Sequence, residues 1–387
     1  MEYRKFGQID WKVSALGFGA MRFPTIDDDS GNIDEDKAIK MIRYAIDNGV
    51  NYVDTAWPYH QGNSETLVGK ALKDGYRDKT RIATKLPIWK VEEKKDLDKY
   101  LDQQLEKLDT DYIDFYLVHA LSKDRWKKCK ELNIMEWLKK VQSEGKIKYK
   151  GFSFHDDYNL FENIVDYYED DWDFCQIQYN YIDTEYQAGQ KGLKYAANKG
   201  LAVVIMEPLR GGTLAVEPPQ GVKEIWNESK KDRTPADWAL QWLWNQPEVT
   251  TVLSGMSTLQ QVKENVESAD NSGTNSLSTK ENKLVKRAAE KYKELQPVNC
   301  TGCGYCVPCP NEVSIPTNFK LYNEAHIYDM YEEKNEFYNR ISEKARANNC
   351  ISCGECLDKC PQNLSIIDLL EDVAEYFEVQ EKQTASK

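Results

Sequence analysis

No stretch of about eighteen apolar residues occurs in this 387-residue chain, which argues against a transmembrane helix. The opening MEYRKFGQIDWK has no apolar run, so no secretory signal is expected. Basic residues are in deficit: 51 Lys and Arg stand against 64 Asp and Glu, a formal charge of −13. Such a chain repels nucleic acid and anionic lipid, and neither is an expected partner. Cysteine is nearly missing from the first 295 residues, where Cys129 and Cys175 stand alone and read as ordinary thiols. No GxGxxG follows the first candidate strand, which counts against a doubly wound dinucleotide-binding sheet, and no flavin motif is found. The expectation is a soluble, cytoplasmic protein. Its 41 % hydrophobic and 30 % charged residues allow a large core and argue against disorder.

What is present is a regular alternation. Strand candidates are SALGFGA (14–20), VNYVD (50–54), RIATK (81–85), DFYLVH (114–119), YKGFSF (149–154), DFCQIQ (173–178), LAVVIM (201–206) and TTVLSG (250–255). Between them lie helical patterns at 37–47, 97–108, 133–142, 160–168 and 259–267. Eight strand–helix units over this length predict an α/β fold, a (β/α)8 TIM barrel. The polar stretch NSGTNSLST (271–279) and the Pro297 that follows a charged helix-like run place a domain boundary near Gln296. The expected domains are 1–295 and 296–387.

Polar residues that end barrel strands point into the mouth where chemistry is done. Here those positions hold Asp54, Lys85, His119 and Ser153, with Tyr59 just beyond the second strand. Singly, each has a plain structural role as a cap, a solvated cation or a packed imidazole. Jointly they form a coherent set. A phenol, with a pKa of about 10, is a poor acid at neutral pH. A nearby cation lowers that value, and a carboxylate behind the cation holds it in place. Asp54, Lys85 and Tyr59 can supply this, with Tyr59 as acid, while His119 orients a carbonyl or shares the proton. Such a site protonates an oxygen while another group delivers hydride.

With LGFGAMR (16–22), VDTAWPYHQGNSE (53–65), ATKLP (83–87), LVHAL (117–121), GFSFH (151–155), QIQYN (176–180), MEPLRGG (206–212) and SGMSTLQQVKEN (254–265) in this order, the chain resembles the aldo-keto reductase family. The resemblance implies a catalytic tetrad of Asp54, Tyr59, Lys85 and His119, and NAD(P)H-dependent reduction of a small aldehyde or ketone. It places Ser153 and Gln176 on the nicotinamide carboxamide and Met206 against the ring. Arg210, Gly211 and Gly212 fall near the pyrophosphate, and Glu264 and Asn265 near the adenine. The family often has Asn after that serine; Phe154 stands here, and His155 is the candidate substitute. Where NADPH-preferring members place a cation, Ser257, Thr258 and Gln261 stand, so the expected lean is toward NADH.

The remaining eight cysteines lie between Cys300 and Cys360, in CTGCGYCVPCPNEVSIP and CISCGECLDKCPQNLSII. The second is the C-x2-C-x2-C-x3-C-P run of bacterial ferredoxins, in which the fourth cysteine serves the other cluster. Two [4Fe–4S] clusters are expected. One takes Cys300, Cys303, Cys306 and Cys360; the other takes Cys350, Cys353, Cys356 and Cys309. Structural zinc is the weaker alternative. The first run is one residue short, with Val307 and Pro308 before Cys309, which alters inter-cluster geometry without removing a ligand. Segment 318–347 is rich in helix formers, with Phe319, Tyr322, Tyr331, Phe337 and Ile341 as its expected buried side. A small, mainly α-helical ferredoxin-like domain follows, and a branch of the resembled family carries such a module.

Two function classes stay open at this level. One is a carbonyl reductase whose clusters are structural or serve a ferredoxin or other redox partner. The other is an electron-transfer protein whose barrel binds a cofactor or partner and turns over no carbonyl. The complete tetrad favours the first. Trp226, Trp238, Trp242 and Trp244 read as packing of late barrel helices, and Tyr179, Tyr181 and Tyr186 as loop packing or a substrate wall. The tail from Glu371 reads as a solvated helix with a frayed end.

Overall fold

The computed structural model describes residues 1–27, 29–168 and 171–384, with side chains through 377. The chain forms two compact units, Met1–Pro208 with Ala236–Ser278, and Leu209–Pro235 with Thr279–Lys387. The composition break lies near Gln296, but the helix Thr279–Leu295 packs on the helix Gln220–Asn227, and both go with the cysteine-rich part.

In the first unit, β1 (Tyr3–Lys5) and β2 (Lys12–Ser14) form an antiparallel hairpin. Eight parallel strands then close a barrel: β3 (Leu16–Gly19), β4 (Tyr52–Asp54), β5 (Arg81–Leu86), β6 (Ile113–Leu121), β7 (Ile147–Phe154), β8 (Phe174–Gln178), β9 (Ala202–Met206) and β10 (Thr251–Gly255). They pair in chain order, and β10 returns to β3 with Ser254 opposite Phe18. All eight expected strands are there, several trimmed by a residue or two.

The hairpin was not legible in the sequence, since three-residue strands carry no pattern. Its turn buries Phe6 in a cluster with Val13, Tyr52, Phe115 and Phe174. The Phe6 ring lies 4.6 Å from that of Phe115 and 5.7 Å from that of Phe174. Gly7, at φ +55°, lets this turn approach β9: a Cβ there would stand 2.7 Å from the Ala202 nitrogen.

The helices follow from capped, periodic segments. Glu35–Asp47 starts where the Asp34 carboxylate accepts from the Lys37 N–H, and it buries Ala38, Met41, Ile42, Ala45 and Ile46 along one face. Helices Ser64–Ala71, Lys123–Glu131, Gly189–Asn198 and Pro235–Trp244 carry weaker sequence signals and are additions to the expected set. Trp238 and Trp244 are buried, and the Trp244 indole donates to the Ala15 carbonyl at 2.9 Å. Tyr179 and Tyr181 pack on Trp242, with ring centres 5.1 and 6.4 Å away. Trp226 is buried in the other unit.

In the second unit, helices Ile315–Tyr328, Tyr331–Arg340 and Ile366–Thr384 enclose a core of Val313, Phe319, Tyr338, Leu370, Val373 and Phe377. Phe319 is buried, and Tyr322, Tyr331 and Ile341 pack partly against this core. Phe337 corrects the expectation, being 44 % exposed. Asp329 adopts a left-handed conformation that ends one helix before the next begins at Tyr331. The inward face then falls on Tyr338, stacked on Phe377 at 4.4 Å. The tail is also more than solvated, because Val373 and Phe377 are core residues; its last residues, 385–387, lie outside the described residues. Among the described residues no helix is long and apolar enough to cross a membrane.

Candidate active site

β4, β5 and β6 are hydrogen-bonded neighbours, so their C-terminal residues converge. Lys85 on β5 is 1 % exposed, and its Nζ donates to Asp54 Oδ1 at 2.6 Å and to the Thr55 carbonyl at 2.8 Å. Tyr59, half-buried, brings its hydroxyl to 3.5 Å from the same Nζ. His119 on β6 is buried, with its ring edge-on to Tyr59 at 6.2 Å and 5.0 Å from Trp89. The four expected residues therefore meet in one place.

Burial pushes Lys85 below its ordinary value, opposed by the Asp54 charge, and pushes Asp54 upward against the pull of Lys85. Their 2.6 Å contact is the geometry of an ion pair. His119 is driven well below 6.5 by burial, then by Lys85, Arg125 and His155. It is a neutral imidazole at physiological pH.

Behind Lys85 lies a buried polar network that sequence reasoning missed. Thr84 Oγ1 donates to Glu65 Oε1 at 2.7 Å, and Gln104 Nε2 donates to the same carboxylate and, at 3.0 Å, to the Lys85 carbonyl. Tyr116 donates to Gln104 Oε1 at 2.7 Å. Glu65 is fully buried, and burial raises its carboxyl pKa against these hydrogen bonds. The sequence offered only a Glu three residues past the turn glycine Gly62, and its burial shows only in the structure.

The expected nicotinamide contacts cluster on β7–β9. Ser153 and Gln176 are buried directly opposite one another, and the Ser153 hydroxyl accepts from the Ala120 N–H at 2.7 Å. Gln176 Oε1 is buried without a hydrogen-bond partner. An orphaned acceptor of this kind suits an amide donor such as a carboxamide. Met206 ends β9, half-buried. His155, the candidate substitute after Phe154, is hydrogen-bonded to Gln187 and held neutral, its pKa pushed down to about 3 by burial and by Arg125.

Other expected residues have partners of their own. Arg210 donates to Gln296 and Asn299, and a Cβ on Gly211 would collide with the Thr301 carbonyl, all within the second unit. Gly212, at φ +102°, has open space. Asn265 donates to Ser254 Oγ at 3.0 Å, while Glu264 is exposed and accepts from Gln260. Thr258 and Gln261 form a capping box on the helix Leu259–Asp270, and Gln261 also accepts from the Ser257 N–H. Arg22, absent from the sequence-based set, adjoins this helix start through its backbone, its carbonyl accepting from Ser257 Oγ at 2.8 Å.

In the second unit, one recess is lined by Cys300, Cys303, Cys306 and Cys360. Another is lined by Cys309, Cys350, Cys353 and Cys356, with Cys306 between the two. The crossed grouping expected from the motif is thus the one the fold brings together. Among the described residues no three His, Cys, Asp or Glu side chains converge tightly enough for a single metal ion. Four thiols around a recess are the ligand set of a [4Fe–4S] cluster. The Gly302 N–H donates to Cys300 Sγ at 3.4 Å. Cys129 and Cys175 are buried elsewhere, with thiol pKa values raised by burial; they are inert thiols.

An eight-stranded parallel barrel with a Lys–Asp pair, a phenol and an imidazole at its mouth has the build of a barrel enzyme. Residues 15–290 match the model of the aldo/keto reductase family, and residues 299–364 match that of a 4Fe-4S dicluster domain. The chain belongs to the aldo/keto reductase family. It is 29 % identical to L-galactose dehydrogenase of Arabidopsis thaliana, over 69 % of this chain and 87 % of that protein. It is 26 % identical to the uncharacterized oxidoreductase YqkF of Bacillus subtilis, over 70 % and 92 %. Among solved structures, aldo-keto reductase AKR11C1 from Bacillus halodurans in its holo form superposes with a TM-score of 0.61 at 29 % identity, covering 74 % of this chain and 96 % of that one. The protein is an oxidoreductase with a C-terminal 4Fe-4S dicluster domain.

The neutral histidines make stability pH-dependent. Unfolded histidines gain protons as pH falls through about 6.5, whereas the folded His155 resists until about 3. Stability is therefore fully present above 6.5 and declines below it. Replacing His155→Gln should flatten that decline by up to about 1.4 kcal/mol per pH unit. Denaturant titrations followed by barrel tryptophan fluorescence between pH 7.5 and 5 check this, and equal slopes would contradict it.

Proposed function

We propose that the protein reduces a small aldehyde or ketone at the barrel mouth, with Tyr59 as general acid and NAD(P)H as cofactor. The carrying observation is the buried Lys85 ammonium, 2.6 Å from Asp54 and 3.5 Å from the Tyr59 hydroxyl. Bound nicotinamide supplies the hydride. Tyr59 gives its proton to the carbonyl oxygen, and the phenolate left behind faces the Lys85 cation, which stabilises it. Asp54 and the Thr55 carbonyl hold that cation in place. Neutral His119 keeps one N–H, so it orients the carbonyl oxygen by donation and does not compete as the acid.

Support for the cofactor comes from the unpartnered Gln176 Oε1 beside Ser153, where a carboxamide would bind, with Met206 along the ring. Glu264 is the more accessible of the two adenine-side residues. Arg210 and Gly211 stand outside the proposal, because the linker at 296–301 already engages them. The eight cysteines hold two [4Fe–4S] clusters in the crossed sets described above. Cys300, Cys306, Cys309, Cys350, Cys356 and Cys360 pack against the small core, so the clusters brace the domain. Cys353 and the 62 % exposed Ile351 mark the side open to a redox partner.

Tyr59→Phe removes only the hydroxyl, so carbonyl turnover should fall by about a thousandfold or more while nicotinamide binding persists. Comparable turnover in the mutant would remove Tyr59 from the acid role. With the capping box holding no cation, the dissociation constants of NADPH and NADH should lie within about tenfold of each other. A hundredfold tighter NADPH would overturn the NADH lean and point to Arg22. Anaerobically purified protein should contain about eight irons and eight sulfides per chain. Cys356→Ser should damage the cluster that includes Cys309, and Cys303→Ser the one that includes Cys360. Tight zinc at about two per chain without labile sulfide would defeat the cluster assignment.

A further inference from the structure

We propose that the foot of the barrel, at the opposite ends of the strands from Lys85 and His119, binds a phosphate group through Arg81. The phosphate is either free or carried on a short organic stem. This site goes beyond the carbonyl reduction proposed above and does not depend on it.

A cavity of about 290 Å³ lies where β5, β6 and β7 begin. Arg81 is the first residue of β5, Asp114 the second of β6 and Lys148 the second of β7, and Trp11 of the hairpin lines it too. Lys85 is four residues further along β5 than Arg81, about 13 Å in an extended strand. Arg77, Lys79, Arg81 and Lys148 line the cavity against two carboxylates, Asp78 and Asp114. A positive lining in a chain of charge −13 is a local reversal, and it attracts small anions.

The cations differ in how far they are engaged. Arg77 Nη2 donates to Asp114 Oδ2 at 2.8 Å and to the Tyr112 carbonyl at 3.2 Å, and its Nη1 donates to the Thr80 carbonyl at 3.0 Å. Asp114 also accepts from the Ile82 N–H and has Lys148 Nζ at 3.8 Å, so its charge is answered. Lys79 lies 3.2 Å from Asp47. Asp78 is exposed, where water screens it.

Arg81 stands apart. It is half-buried, and its guanidinium carbon sits 4.2 Å over the Trp11 ring. Among the described residues no carboxylate pairs with it, and its Nη1 is buried without a hydrogen-bond partner. Stacking on an indole engages the face of a guanidinium and leaves its in-plane N–H donors unanswered. The Thr80 hydroxyl, on a residue 3 % exposed that lines the same cavity, is also buried without a partner. Unmade donors of this kind are costly, and a charged one most of all. An oxyanion supplies the missing acceptor. Lys79 and Lys148 add charge around it, which favours a doubly charged phosphate over a singly charged carboxylate. At about 30 Å³ per water-sized group the cavity takes roughly ten, so a phosphate with a three-carbon stem fits.

The test is anaerobic titration calorimetry on the cluster-loaded, full-length protein with inorganic phosphate, glycerol 3-phosphate and acetate. At least one phosphate should bind saturably, about tenfold or more tighter than acetate. A clear advantage for glycerol 3-phosphate identifies a stemmed ligand, and its absence identifies the free ion. Arg81→Met keeps an apolar stem against Trp11 and should weaken binding by about tenfold or more. Lys148→Met, at an exposed side chain, should weaken it by about threefold, and it decides the matter if Arg81→Met fails to fold. Tyr59→Phe, at the mouth, should leave the affinity unchanged whether or not the protein reduces carbonyls. No saturable phosphate binding, acetate binding as tightly, or affinity untouched by both foot variants would overturn the proposal. Arg81 would then be only a cation stacked on the hairpin.

Discussion

A lysine ammonium inside a barrel mouth stays charged only if a carboxylate and fixed dipoles replace the water it has lost, and the rest of the site depends on how this is met. Asp54 and the Thr55 carbonyl both reach Lys85 from the end of β4, which the parallel register sets beside β5. Removing either member of the pair would leave the other charge buried alone, at a cost of about 3–5 kcal/mol. Lys85 is held from behind as well. Gln104 binds its carbonyl and Glu65, and Tyr116 binds Gln104, so the strand cannot shift without breaking a buried network. The one direction left to the cation is toward Tyr59.

The same cation sets the state of its neighbours. His119 is kept neutral by burial first and by Lys85 and Arg125 after it. The proposed donor, His119, and the proposed acid, Tyr59, stand with ring centres 6.2 Å apart. Ala120, at φ +53°, turns the chain sharply after His119 and is held by Ser153 on its N–H and Arg125 on its carbonyl. Backbone in this region is uncommon for a residue with a Cβ and tends to collect at functional sites. Residues from β6, β7 and the helix after β6 thus share one turn.

The cysteine-rich unit works by a different economy. Its helices bury a small core, and six of its eight cysteines pack directly against that core. Clusters bound by those cysteines would add to the rigidity of that core.

The order of the eight strands, the convergence of Asp54, Tyr59, Lys85 and His119, and the crossed sets of cysteines were legible in the sequence. Each follows from a local rule: strand–helix rhythm, polar residues at strand ends, and fixed spacing between ligands. The hairpin that carries Phe6 was not, because its strands are three residues long and its apolar residue is explained only by what it plugs. Tyr338 displaced Phe337 as the buried ring because a left-handed Asp329 resets the helix phase, and side-chain spacing alone does not report that reset. Arg210 also donates to Gln296 and Asn299, nearly ninety residues away in the chain, which spacing along the sequence does not report. Glu65 and Arg125 matter only through neighbours on other elements. Charge and hydrogen bonding act through space over a few ångströms, so what they do was decided by the tertiary structure, while what could be read along the chain was whatever repeats or is spaced along it.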